Sequence, residues 1–85
     1  MHLELAPNTT ITAMEGKTVL FSKATGDFHG LNASAARMLR NALDTDFDHA
    51  VATCSAEYKV DAKVIAADLR ELVDELVGLK LVVRV

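Results

Sequence analysis

The chain has 85 residues, enough for one small domain and too few for a second core. Hydrophobic residues make up 51% and charged residues 25%, the balance of an ordinary folded protein, and no stretch approaches the roughly 18 apolar residues that a bilayer crossing needs. A formal net charge of -3 gives no attraction to phosphate backbones or anionic lipid, so nucleic acid and membrane are not expected as partners.

Met1 to Pro7 carries neither a basic head nor an apolar run, so no secretory signal is read there. The one cysteine, Cys54, cannot form an internal disulfide, and the expected compartment is the cytoplasm. Thr9 to Met14 is β-branched and partly alternating, which suits a half-buried strand. Glu15-Gly16 supplies a tight turn into a second strand, Lys17 to Ser22. Thr25-Gly26-Asp27 turns the chain again into a short third strand, Asp27 to Leu31, with Phe21 and Phe28 flanking the turn. Three strands joined so closely predict an antiparallel meander.

A helical half follows. Asn32 is placed to cap a helix over Ala33 to Leu43, with Ala36, Leu39 and Leu43 on one stripe and Met38 and Ala42 beside it. Asp44-Thr45-Asp46 breaks that helix and caps a second one, which carries Phe47, Val51 and Cys54 inward. After a loop near Glu57 to Val60, Asp61 caps the longest helix. Its stripe is Ile65, Leu69, Leu72, Leu76 and Leu79, widened by Val64, Val73 and Val77. Gly78 is expected to end it, and Leu81 to Val85 to form an extended tail. The expected fold class is α+β, a single domain over residues 1–85 with a three-stranded antiparallel sheet followed by three helices. So small a sheet has two edges and little chain to cover them, so one exposed edge is expected.

Signatures of catalysis are poor. His2, His29 and His49 are widely spaced, with no pattern that would bring three metal ligands together, and neither a metal nor a cofactor is expected. Ser34, Ser55 and Cys54 lack an activating context, and no Lys, Arg or His flanks Cys54, so that thiol reads as a packing residue. Gly16, Gly26, Gly30 and Gly78 form no phosphate-cradling loop. The acidic run Asp68, Glu71, Asp74 and Glu75 has two readings. One is a solvated helix face supported by an Arg70–Asp74 pair at i,i+4, and the other is a surface complementary to a partner's polar or basic groups. An acidic last helix argues against a DNA-reading winged helix, which would need a basic one. A homodimerisation module that pairs its own edge strand remains a further alternative.

The order Val19-Leu-Phe-Ser22, Gly26-Asp-Phe-His-Gly-Leu-Asn32, Ala35-Ala-Arg-Met-Leu39 resembles the PqqD-like family. Phe47-Asp-His-Ala-Val51 resembles that family's second helix. Tyr58-Lys-Val-Asp61, with Ala67-Asp-Leu69, Leu72, Leu76 and Leu79, resembles its third. The likeness spans residues 16–82. It departs from the family pattern at His29-Gly30, where an aromatic or long polar residue is common.

The resemblance implies a winged helix-turn-helix-like fold and a non-catalytic role. Such a protein binds the leader of a ribosomally made precursor peptide as an added strand and delivers it to a maturation enzyme. Carried onto this sequence, the strand edge is Asp27, Phe28, His29, Gly30 and Leu31, and the facing helix wall is Val64, Ala67, Asp68, Glu71, Leu72 and Glu75. Phe28 and Leu31 have core packing as a second reading, because strand neighbours point to opposite faces. Read as free-standing, the chain looks like the recognition protein of lasso-peptide pathways, whose partner is a leader peptidase or cyclase. The alternative partner is a radical SAM or other modifying enzyme.

Overall fold

Turn chemistry and caps set the order of elements. The computed structural model describes residues 2–85, which run β1 (Leu3–Leu5), β2 (Thr9–Met14), β3 (Lys17–Ser22), β4 (Phe28–Leu31), α1 (Ala33–Asp44), α2 (Phe47–Tyr58), α3 (Ala62–Gly78) and β5 (Val82–Arg84). β2, β3 and β4 form an antiparallel sheet in that order. Its first hairpin closes through Glu15 and Gly16 at φ 53° and 79°, the double positive-φ geometry that matches the twist of paired strands. Between β3 and β4, Gly26 also sits at φ 79°, and its N–H donates to the Ser22 carbonyl at 2.8 Å.

Each helix begins where a side chain supplies a cap. Asn32 Oδ1 accepts from the Ala35 N–H at 2.8 Å, Asp46 Oδ1 from His49 at 2.8 Å and Asp61 Oδ1 from Lys63 at 2.8 Å. The His49 N–H holds the Asp46 carboxyl below the usual carboxylate range, with the imidazole helping, against a smaller opposing effect of desolvation. A depressed folded-state pKa stabilises the fold above the unfolded value and is lost as pH falls through the folded one. Asp46→Ala is therefore expected to lower the melting temperature at neutral pH, with the gap from the parent closing on acidification; a gap that persists in acid would contradict the assignment.

The helices bury one continuous core against the sheet. Leu20 and Leu31 reach it from β3 and β4, Leu39 and Ala42 from α1, Phe47, Ala50 and Cys54 from α2, and Ile65, Leu69, Val73 and Leu76 from α3. Arg37 and Glu57, 2.7 Å apart, tie α1 to α2 across the surface. Cys54 is fully buried, and Asn41 Nδ2 donates to its sulfur at 3.6 Å.

Three local expectations change. The N-terminal segment and the tail are not loose ends: β1 and β5 pair antiparallel as a second, two-stranded sheet, with Leu3 opposite Arg84 and Leu5 opposite Val82. Leu3 and Val82 are buried in the core, which gives both strands a reason to form. α3 ends at Gly78 as expected, with Leu79 as its cap. Lys80 takes the left-handed position at φ 61°, with its N–H on the Val77 carbonyl and the Leu81 N–H on the Leu76 carbonyl, a Schellman ending sealed by buried Leu76 and Leu81. Leu79, at the cap, has left the helical stripe and is 52% exposed. Asp74 pairs with Arg84 on β5 rather than with Arg70, whose guanidinium lies 5.4 Å over the Phe47 ring.

Candidate functional site

The third strand of the sheet has a neighbour on one side only. β4 pairs with β3 through Phe28–Phe21, His29–Leu20, Gly30–Val19 and Leu31–Thr18, and its other edge is unpaired among the described residues. Asp27, placed at the strand start by sequence, lies one residue before it, but its carbonyl accepts from the Ser22 N–H at 3.0 Å and so begins the ladder.

That bond decides which main-chain groups are free. In an antiparallel ladder, bonded and non-bonded pairs alternate. With Ser22–Asp27 a bonded pair and the register unbroken, Leu20–His29 and Thr18–Leu31 are bonded pairs as well. Phe21–Phe28 and Val19–Gly30 are then the non-bonded pairs. The N–H and C=O groups of Phe28 and Gly30 consequently point away from β3, toward the open edge. The Phe21 and Phe28 rings, 4.7 Å apart at 30°, fit the closer side-chain spacing of a non-bonded pair.

The side chains alternate in step. Leu31 is buried and His29 half-buried on the face that carries Leu20, toward the helices. Phe28 and Gly30 share the opposite face with Val19 and Phe21. Phe28 is 64% exposed, so its core-packing reading is wrong, while that reading holds for Leu31. Sequence could not separate the two, since both are apolar and one lies on each face.

The six helix residues lie together on α3. Val64, Ala67, Asp68, Glu71 and Glu75 are exposed and Leu72 is half-buried at the margin of the core. They form one mixed acidic and apolar strip beside the buried line Ile65, Leu69, Val73 and Leu76. The structure does not put this strip in bonded contact with the β4 edge: among the described residues no hydrogen bond or ion pair joins the two sets. α1 packs against both β4 and α3 and so sets the distance between them.

Sequence reasoning missed a cleft of about 700 Å³ at the end of β4. It is lined by Gly30, Leu31 and Asn32, by Lys17 and Thr18 of β3, and by Arg37 and Arg40 of α1. Its cations, Lys17, Arg37 and Arg40, come from two elements distant in sequence, β3 and α1, so no local run marks it. Among the described residues, no group of three or more His, Cys, Asp or Glu side chains is placed to hold a metal ion. No helix among the described residues is long and apolar enough to cross a membrane.

These features define an α+β domain of the winged helix-turn-helix type, with an open edge strand leading into a capped helix. The family model for Coenzyme PQQ synthesis protein D (PqqD) matches residues 17–82, and the chain belongs to that family. Among solved structures it is similar to a lasso peptide synthetase B1 complexed with the leader peptide, at 21% identity and a TM-score of 0.91, covering 99% of this chain and 100% of that one. It is also similar to TbiB1 in complex with the TbiA(beta) leader peptide, at 24% identity and a TM-score of 0.82, over 93% of each chain. At these identities the likeness is one of fold. None of the curated proteins matches the chain.

Proposed function

We propose that the chain is a non-catalytic adaptor which captures the leader of a ribosomally made precursor peptide as a strand added to β4. The whole of residues 1–85 acts as one recognition domain, working in the cytoplasm. It presents the precursor to a separate maturation enzyme, with a leader peptidase or cyclase of the lasso type favoured over a radical SAM enzyme. The observation that carries this reading is the unsatisfied main chain of Phe28 and Gly30 at an open sheet edge. Strand addition satisfies such groups and takes its register from them, while pockets for alternate side chains supply specificity. Both similar solved structures are complexes with a leader peptide, which supports the same partner here. The inward-facing leader side chains would meet His29 and Leu31 and then the α3 strip of Val64, Ala67, Asp68, Glu71, Leu72 and Glu75.

The test is amide hydrogen exchange with and without the leader of a precursor peptide encoded beside the gene. Saturating leader is expected to slow the Phe28 and Gly30 amides at least about tenfold. The His29 and Leu31 amides, already bonded to β3, should change less. Protection that falls elsewhere, with these two amides unchanged, would sink the reading. Edge-to-edge pairing of two copies would instead protect the same amides without peptide, in step with protein concentration.

A further inference from the structure

Resting on that adaptor reading, we infer that the cleft at the end of β4 is a docking surface for an acidic segment of the maturation enzyme. Its lining carries three cations, Lys17, Arg37 and Arg40, and no carboxylate, in a chain whose formal net charge is -3. All three cations are exposed. Arg37 Nε meets Glu57 at 2.7 Å, yet its side chain stays 58% exposed and keeps donors for another acceptor. Lys17 and Arg40 form no ion pair among the described residues.

The positive charge gathered there is not answered from within the chain. Arg37 and Arg40 stand at i,i+3 on α1, so they are neighbours on the helix surface, and like charges at that range repel. The first turn of α1 holds no acidic residue, so no side-chain charge offsets the positive end of its dipole, which opens on the same cleft at Asn32 and Ala33. Apart from the Arg37–Glu57 tie, no ion pair of the described residues uses this arrangement. Carboxylates brought by a partner relieve the repulsion and meet the dipole together.

Geometry separates these cations from the leader's own path. A strand added to β4 lies on the far side of β4 from β3, and paired strands sit about 4.8 Å apart, so Lys17 at the start of β3 is roughly two strand spacings away. Arg40 lies toward the other side of the sheet, since it also lines a second hollow with Ile11 of β2 and Leu5 of β1. A captured leader therefore leaves both cations free. The cleft still abuts Gly30 and Leu31, so an enzyme docked in it sits beside the captured peptide. Three cations in a chain of net negative charge are a poor match for a nucleic-acid backbone. Asp and Glu side chains match them, because arginine takes a carboxylate through paired hydrogen bonds and the Asn32 amide and Thr18 hydroxyl add donors.

The test measures binding of the full chain to the purified maturation enzyme encoded beside the gene, by biolayer interferometry, and to the leader, by isothermal titration. Folding of each variant is checked by circular dichroism. Lys17→Glu combined with Arg40→Glu should weaken enzyme binding about tenfold or more, while leader affinity changes less than about twofold. Arg40→Lys keeps the charge and should lose far less. The parent's affinity for the enzyme should fall as salt rises, and an acetylated hexaglutamate peptide should compete where hexalysine does not. Unchanged enzyme affinity in the charge-reversed variant, no competition by hexaglutamate, or no enzyme binding by the parent overturns the docking surface. A parallel loss of leader affinity overturns it too, and gives the cleft to the leader. If the parent binds no leader yet docks the enzyme in a charge-sensitive way, strand addition fails and the docking surface stands.

Discussion

Gly30→Pro is expected to weaken leader binding about tenfold or more while the protein stays folded. The residue's N–H points to the open edge and takes no part in the β3–β4 ladder, so proline costs the fold no hydrogen bond. His29 before it is already in a strand, the conformation that a following proline favours. In the complex the same change removes a donor from the peptide ladder and puts a ring where the added strand must approach. One net hydrogen bond is worth about 1 kcal/mol and each 1.4 kcal/mol is a factor of ten, so the lost bond and the steric block together reach the stated size. Isothermal titration with the leader measures it. Unchanged affinity in a folded variant would exclude strand addition at β4.

Leu69→Ala is expected to destabilise the fold by about 2–5 kcal/mol, the range for truncating a fully buried leucine. Leu69 has no exposed surface and sits midway along α3, where that helix meets α1 and α2. Small domains hold only about 5–15 kcal/mol in total, so this one change takes a large share. At about 4–8 °C per kcal/mol for a domain of this size, the melting temperature should fall by about 10 °C or more. Leu79→Ala supplies the contrast. Sequence spacing put Leu79 on the same stripe, yet it is 52% exposed beyond the helix end, and its truncation should cost under about 0.5 kcal/mol. Urea unfolding of both variants measures the difference; equal losses would return Leu79 to the core.

The two leucines show how far helical periodicity reaches. From Ile65 to Leu76 the spacing is reliable because one rigid helix presents one face to one core. It fails at Leu79 because Lys80 takes the left-handed position, and the chain turns to send Leu81 and Val82 inward instead. Nothing in the composition marks Lys80 for that role, which glycine usually fills. Glycine signals were reliable where the turn is local, as at Glu15-Gly16. The strip on α3 was legible as a set, from spacing and family resemblance together. Its separation from the β4 edge was not, since that depends on how α1 packs against both.

The sequence by itself determined what neighbouring residues decide: the meander, the caps at Asn32, Asp46 and Asp61, three helices, and a short strand running into the first of them. These follow from backbone preferences and side-chain bonds that span only a few residues. Tertiary structure decided what depends on distant partners. It paired β1 with β5, turned Asp74 toward Arg84, and buried Leu31 while leaving Phe28 outside. It also decided that Phe28 and Gly30, rather than His29 and Leu31, offer their main chain to the open edge. That choice follows from one bond, Ser22 to Asp27, because ladder alternation carries its parity along the whole strand.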